Sequence, residues 1–453
     1  MRNARQHTGF AQRLCVVPKT HAYVADLAQL AHERFVELTQ EVDPGPCTPL
    51  RGKLPDAGLL EELLSVAFQA SLLREEDRPV RFRLFVGSPE HLPAEVGPPE
   101  GLHRLRFEVP RRFDEQELRR LSQAAKYHRA LIGVQRIAGQ FQVWGIVQSG
   151  PRWLQSARGG RDLPSPVPRD AIVVRAEGPG HIAIAVGDVT LAELRTGRLT
   201  GGSVNVFQSA WLMERFLDSR LAFLREHAAA TDADGVPLDI ETIRRVSQQM
   251  VKRLISTIQD SHHGGTIVFV PNDRVSSVLG GNASIQLKYA FADEAPRRRY
   301  RSLIRSIIRE LDVEARTLDP RPAQITWNLY QGSTTPAISA LDEAIMEMSQ
   351  LIAAMADVDG AVVLTERFEV LGFGGEIVGN MPEVKTIRRA RDLEATSYEE
   401  VAIDGVGTRH RAAYRLCALE PTVFTVVVSQ DDDVQFVANH AGALTYWKHR
   451  NVP

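Results

Sequence analysis

The segment from Gly407 to Arg411 combines a flexible glycine, a hydroxyl group, two guanidinium groups and an imidazole, and two helix-compatible alanines follow it. At the start of a helix, free amide groups and the helix dipole favour an anion. Arginine side chains match phosphate oxygens with two parallel hydrogen bonds. The alternative is a basic first turn that faces water. It is disfavoured because cations are unfavourable at a helix N-terminus unless an anion is bound there. The segment therefore predicts a phosphate site.

A second motif, Asp359-Gly360-Ala361, stands directly before the apolar run Val362 to Thr365. A carboxylate at the start of a strand can hold Mg²⁺ or Mn²⁺ or accept a proton from a hydroxyl group. The glycine beside it lets a ligand approach the backbone. Taken alone, an Asp-Gly pair is more often a simple turn. Both interpretations stay open from these residues by themselves.

The composition of the 453-residue chain is typical of a globular protein with two or three domains, with 43% hydrophobic residues. The 54 Lys and Arg residues nearly balance the 56 Asp and Glu residues, so no nucleic-acid partner is expected from overall charge. The three cysteines, Cys15, Cys47 and Cys417, lack metal-ligand spacing and are interpreted as free thiols in a reducing compartment. No secretory signal or membrane-spanning run is found, which predicts a cytoplasmic protein without a membrane partner.

In the C-terminal half, apolar residues recur at helical spacing from Ile240 to Ile258 and from Ile338 to Met355. The second of these helices is expected to begin at Thr335-Pro336. Helices are also predicted over Pro296 to Ala315 and Tyr414 to Leu419, and short apolar strands over Thr266 to Val270, Val362 to Thr365 and Thr422 to Ser429. The pattern indicates a sheet packed under helices.

The N-terminal half has mixed α and β patterns and no motif whose chemistry can be named. Its predicted elements are a helix over Asp114 to Arg129, two strands over Ala130 to Val147, strands over Ala171 to Arg175 and His181 to Val186, and a long helix over Val206 to Ala229. A linker at Ala230 to Pro237 divides the predicted domains, residues 1–235, with two subdomains as an option, and residues 238–453.

The motifs in sequence order resemble the signature of the diadenylate cyclase family. The similarity rests on Asp359-Gly360-Ala361, on Gly407 to Ala413, and on an apolar strand that ends in Ser429. Gly264-Gly265-Thr266 resembles the glycine-led first strand of that domain. The resemblance runs from about Leu238 to Tyr446. It implies an α/β (α+β) fold in which a mixed β-sheet is wrapped by helices. It also implies one ATP at each site, and two domains of a homo-oligomer that meet face to face to form cyclic di-AMP and pyrophosphate.

The resemblance also implies a role for each motif residue. Asp359 would bind Mg²⁺ or Mn²⁺ and activate the ribose 3′-hydroxyl, and Gly360 and Ala361 would line the ribose and adenine side. The residues expected to hold the triphosphate are Gly407, Thr408, Arg409, His410, Arg411 and Ser429.

The sequence departs from the family pattern at three places. Two glutamates that often follow the serine are replaced by Gln430-Asp431-Asp432, so Asp431 or Asp432 is the candidate second metal ligand. A leucine-proline pair is replaced within Gly372 to Gly375, and the charged stretch Met381 to Asp404 is long. Because of these departures, a second alternative stays open, in which the protein is a catalytically inactive nucleotide-binding sensor of the same fold. An unrelated phosphate-binding scaffold is the third alternative.

Residues 1–235 resemble the sensor-like modules that precede some diadenylate cyclase domains. Such a module is expected to bind an unidentified ligand or protein and to control whether two cyclase domains face each other.

Overall fold

The computed structural model describes residues 21–40, 54–92, 103–127, 130–148, 159–161, 171–187, 189–201, 205–232, 234–261, 263–280, 283–379, 382–430 and 433–449. Within these ranges the chain forms one eight-stranded sheet, one nine-stranded sheet and a two-stranded ribbon, with helices around them. The predicted α/β fold with mixed sheets is confirmed.

The first sheet and its helices come from the N-terminal part of the chain. The helices are α1 (Val24–Gln40), α2 (Ala57–Ser71) and α3 (Glu115–Ala124), and the ribbon is β1 (Arg74–Glu75) with β2 (Arg78–Pro79). The sheet strands are β3 (Phe82–Val86), β4 (His103–Arg112), β5 (Ala130–Ile137), β6 (Gln140–Gln148), β7 (Ile172–Gly178), β8 (His181–Val186), β9 (Val189–Arg195) and β10 (Arg198–Gly201). Their spatial order is β10-β9-β8-β7-β3-β5-β6-β4.

The second sheet belongs to the C-terminal part. Its strands are β11 (Gly265–Val270), β12 (Ile285–Ala290), β13 (Ala361–Thr365), β14 (Val370–Ile377), β15 (Thr386–Ala390), β16 (Tyr398–Ala402), β17 (Phe424–Val428), β18 (Val434–His440) and β19 (Ala443–His449). Their order is β12-β14-β13-β11-β17-β18-β19-β15-β16. The helices are α4 (Ala210–Arg215), α5 (Leu217–Ala230), α6 (Ile240–Ser261), α7 (Val275–Leu279), α8 (Arg299–Thr317), α9 (Trp327–Gly332), α10 (Pro336–Ala356) and α11 (Thr408–Leu419).

Alternation along the central strands buries both faces of the second sheet. In β11, Ile267 and Phe269 pack with α6, α8 and α10, whereas Val268 and Val270 pack on the opposite face with α7 and α11. Successive strand residues point to opposite faces, so a continuous apolar strand requires a helical cover on each side. The helix α11 is thereby fixed against the second face, with its N-terminus at one edge of the sheet.

Most predicted elements are found, with three differences. The strand pair β5–β6 and the pair β7–β8 form as predicted, and α10 begins at Pro336. Helix α3 ends at Ala124 rather than Arg129, and α11 begins at Thr408 rather than Tyr414. The predicted long helix over Val206 to Ala229 is wrong, because the chain leaves helical geometry at Phe216 between α4 and α5.

The core of the second sheet extends further toward the N-terminus than the predicted boundary at residue 238. Phe207, Trp211 and Phe223 are buried in it. The Trp211 ring stacks on Trp447 of β19 with centroids 4.4 Å apart. Residues 206–230 are therefore packed as part of the second unit.

Within the described ranges, none of the helices combines the length and the apolar character needed to cross a membrane.

Candidate functional site

The strand registers bring three distant segments to one edge of the second sheet. Strands β11 and β13 are parallel, with Thr266 opposite Ala361, and β17 is antiparallel to β11, with Gly265 opposite Val428. The starts of β11 and β13 therefore lie beside the end of β17. Asp359, Gly264 and Ser429 immediately flank these strand ends. We call this edge the site edge.

Gly360 occupies a backbone conformation and a space that suit glycine alone. Its φ is +112°, and a β-carbon there would lie 2.6 Å from the carbonyl carbon of Gly374. The carboxylate of Asp359 is exposed, and no hydrogen bond or ion pair joins it to another residue in the described ranges. Ala361 is only 4% exposed and packs in the core, so its side chain does not line the site edge. The motif thus presents one carboxylate at a tight turn.

We expect Gly360→Ala to lower the free energy of unfolding by about 1–3 kcal/mol, because a left-handed backbone and a backbone clash would both be imposed. Thermal or denaturant unfolding measures this change. Gly405→Ala is the matched control, since a β-carbon at Gly405 would meet nothing within 4 Å. Equal stability of the Gly360 variant and wild type would contradict the geometry of the turn.

The N-terminus of α11 is attached to the same edge. Gly407 is the N-cap residue, and among the described residues no side chain caps the helix, which leaves the first amide groups available. The Arg409 guanidinium donates a hydrogen bond of 2.8 Å to the carbonyl oxygen of His263, two residues before β11 begins. Thr408 and Arg411 are exposed. Amides and cations at one helix start suit an anion.

His410 lies in a half-buried position behind this helix start. Burial lowers the pKa of His410, the carboxylate of Asp433 opposes this shift, and Lys448 and Arg409 add to it. The imidazole is therefore neutral at pH 7. Its Nε2 is buried and has no hydrogen-bond partner in the described part of the chain. Because Nε2 is enclosed by the protein, Nδ1 is the ring nitrogen that could meet a ligand, and it would do so without a full positive charge.

Ser429 lies in a turn that is closed by two hydrogen bonds to Asp433. The Ser429 amide donates to the Asp433 carbonyl oxygen at 2.8 Å, and the Asp433 amide donates to Ser429 Oγ at 3.1 Å. The Asp433 carboxylate binds Lys448 Nζ at 2.8 Å and an Arg195 nitrogen at 3.3 Å. Asp433 is therefore occupied by two cations. Asp431, the predicted second metal ligand, lies outside the described residues, as does Asp432.

Asp359 is the carboxylate of the site edge, among the described residues, that could bind a magnesium or manganese ion. No group of three or more His, Cys, Asp and Glu side chains suited to a metal occurs among the described residues. Mg²⁺ in nucleotide sites is commonly held by one or two carboxylates together with substrate phosphates. Asp359 alone supplies the single carboxylate that such a site needs as a minimum, and its exposed side chain is accessible to an ion.

On the β14 side of Asp359, the structure shows an aromatic pair that the sequence did not predict. Tyr289 and Phe373 stack with centroids 4.6 Å apart, and Tyr289 is 46% exposed. The adjacent Gly374 lies between Tyr289 and the backbone of Asp359. The only sequence signal for this pair was the alternation of side chains at every second position along the polar strand β12. A flat exposed ring near a carboxylate can support a planar group.

The fold defines a two-sheet α/β protein, and the second sheet carries the N-terminus of α11 and two arginines beside Asp359. Residues 50–148, which run from before α2 to the end of β6, match the family model described as "Probable sensor domain DACNV". This domain is associated with diadenylate cyclases. A sensor-type domain is thereby supported for that part of the chain. No curated protein and no solved structure matches the chain.

Proposed function

We propose that the second unit is a diadenylate cyclase that joins two ATP molecules into cyclic di-AMP, and that the N-terminal sheet regulates it. The observation that carries the proposal is the convergence at the site edge. Strand register brings Asp359, Gly264 and Ser429 together, and the hydrogen bond from Arg409 to His263 joins the N-terminus of α11 to them. The DACNV match over residues 50–148 supports the same context.

The binding step uses groups of the chain that suit a triphosphate. The first amides of α11 and the guanidinium groups of Arg409 and Arg411 would bind phosphate oxygens. Neutral His410 and the Ser429 hydroxyl would add hydrogen bonds without further charge. Gly264 lets β11 start close to the Ser429 backbone, because its φ is +66° and a β-carbon there would lie 3.0 Å from the carbonyl carbon of Ser429.

The chemical step requires two such domains that face each other. The 3′-oxygen of one ATP forms a bond to the α-phosphorus of the other, the bond to pyrophosphate breaks, and Asp359 accepts the hydroxyl proton. A second, reciprocal transfer closes the ring. A divalent cation bound by Asp359 and Asp431 would neutralise phosphate charge. Most of the rate enhancement would come from positioning and charge stabilisation.

We expect purified protein to convert ATP into cyclic di-AMP and pyrophosphate with Mn²⁺ or Mg²⁺. Specific activity should rise with protein concentration, because a single domain lacks the second ATP. Chromatography of the products over a concentration series measures both effects. ATP binding with no product at any concentration would instead favour a nucleotide-binding sensor. The two cations on Asp433 are the observation that favours this second candidate, since they occupy an acidic group of the site edge. Absence of ATP binding would contradict both functions.

A further inference from the structure

We propose that Arg195 of the N-terminal sheet is a positioning residue for Ser429, so that the first sheet completes the phosphate-binding part of the site edge. This inference rests on the proposed function, because it assigns the contact a role in ATP binding. The observation behind it is an ion pair between the two sheets. Arg195 at the end of β9 lies 3.3 Å from the Asp433 carboxylate, and their side chains are 30% and 19% exposed.

Arg195 stands on a well-held hairpin. Thr196 and Gly197, which connect β9 to β10, have φ values of +48° and +72°. The amide of Ala22 donates to the Gly197 carbonyl oxygen at 2.8 Å, and a β-carbon on Gly197 would lie 2.9 Å from the His21 ring. The chain before α1 therefore fixes the tip of this hairpin. A fixed hairpin gives the guanidinium a defined position.

Asp433 connects the Arg195 guanidinium to Ser429, because it contacts both residues directly. Its amide and carbonyl groups form the two hydrogen bonds that close the turn around Ser429. One carboxylate oxygen binds Lys448 from β19, in the same unit, and the other binds Arg195 from the first sheet. Removal of Arg195 would release one side of this carboxylate and loosen the turn.

The charges around Asp433 also predict weaker ATP binding when Arg195 is removed. The cluster of Asp433, Arg195 and Lys448 carries a net charge of +1, and without Arg195 this falls to zero beside the place proposed for a triphosphate. A partly exposed ion pair contributes up to about 1 kcal/mol, which corresponds to roughly a fivefold change in an equilibrium constant. We therefore expect ATP affinity to fall about fivefold in Arg195→Ala.

The test combines hydrogen exchange of full-length protein without nucleotide with direct ATP-binding measurements. Arg195→Ala should speed exchange of the Ser429 and Asp433 amides and weaken ATP binding, and Arg195→Lys should restore both. In an Asp433→Asn background, Arg195→Ala should add no further loss of affinity. The matched control is Arg161→Ala. Arg161 also joins the N-terminal half to the second unit, through an ion pair of 2.6 Å with Asp342, but it does not contact the turn.

Two outcomes would overturn the inference. One is unchanged amide exchange in Arg195→Ala, and the other is an equal change in Arg161→Ala, which would indicate general loosening of the two units. Failure of the wild-type protein to bind ATP would refute the proposed function and the affinity part of this inference. The exchange measurement, made without nucleotide, would still decide whether Arg195 holds the turn.

Discussion

Cyclic di-AMP formation is expected to fall by at least about a hundredfold in Asp359→Asn, while ATP affinity stays within about threefold of wild type. General-base catalysis typically contributes 10²–10⁴-fold, and an amide can neither accept the hydroxyl proton nor bind a cation with full charge. Affinity is expected to persist because most phosphate contacts come from α11 rather than from Asp359. Product formation and nucleotide binding should be measured on the same preparation.

The control for this variant is Asp273→Asn. Asp273 is an exposed acid that follows β11 at the opposite edge of the sheet. It changes the net charge by the same amount far from the site edge, so turnover should be unaltered. Normal turnover in Asp359→Asn would remove Asp359 from the mechanism.

Arg409→Ala is expected to weaken ATP binding by about 10- to 100-fold. A hydrogen bond to a charged group contributes about 1.5–3 kcal/mol, and the lost guanidinium can form two of them with phosphate. The loss should appear in the dissociation constant itself. Calorimetry or a fluorescent ATP analogue measures it, and Arg409→Lys should restore only part, since a lysine cannot bind bidentately.

The matched control is Arg415→Ala, an exposed arginine further along α11. It tests whether any loss of positive charge on this helix weakens binding. Arg409 also donates to the His263 carbonyl oxygen, so unfolding of each variant must be compared. Unaltered ATP affinity in Arg409→Ala would contradict the assigned phosphate contact.

Local patterns predicted the elements of the site well. A strand that is apolar on both faces must lie inside a sheet, and β17 does. Thr335-Pro336 marks the start of α10 because proline lacks only an amide that would have no partner there. The residue types of Gly407 to Arg411 indicated a helix start there, although the apolar pattern predicted the helix only from Tyr414. The roles of the site residues stay predictions.

Features that depend on tertiary packing were not predicted from the sequence. At the break between α4 and α5, the Phe216 ring stacks on Phe368 with centroids 5.6 Å apart, a contact between residues far apart in the sequence. The hairpin β15–β16 lies in the long charged stretch, where Arg388 and Arg389 stand opposite Glu400 and Glu399. Cross-strand charge pairs stabilise it without an apolar pattern. The contact between Arg195 and Asp433 joins residues 238 positions apart, and no local signal reveals it.

The packing of α4 and α5 into the second core has a consequence for how the two sheets can move. Because Val206 is already part of that core, only residues 202–205 remain between it and the end of β10. Gly201 and Val206 are five residue steps apart, so at about 3.5 Å per step the connection spans roughly 18 Å at most. This short connection limits the distance between the two sheets. Any change in their relative position must therefore be a rotation about this connection or a change of contacts between sheets that stay close to each other.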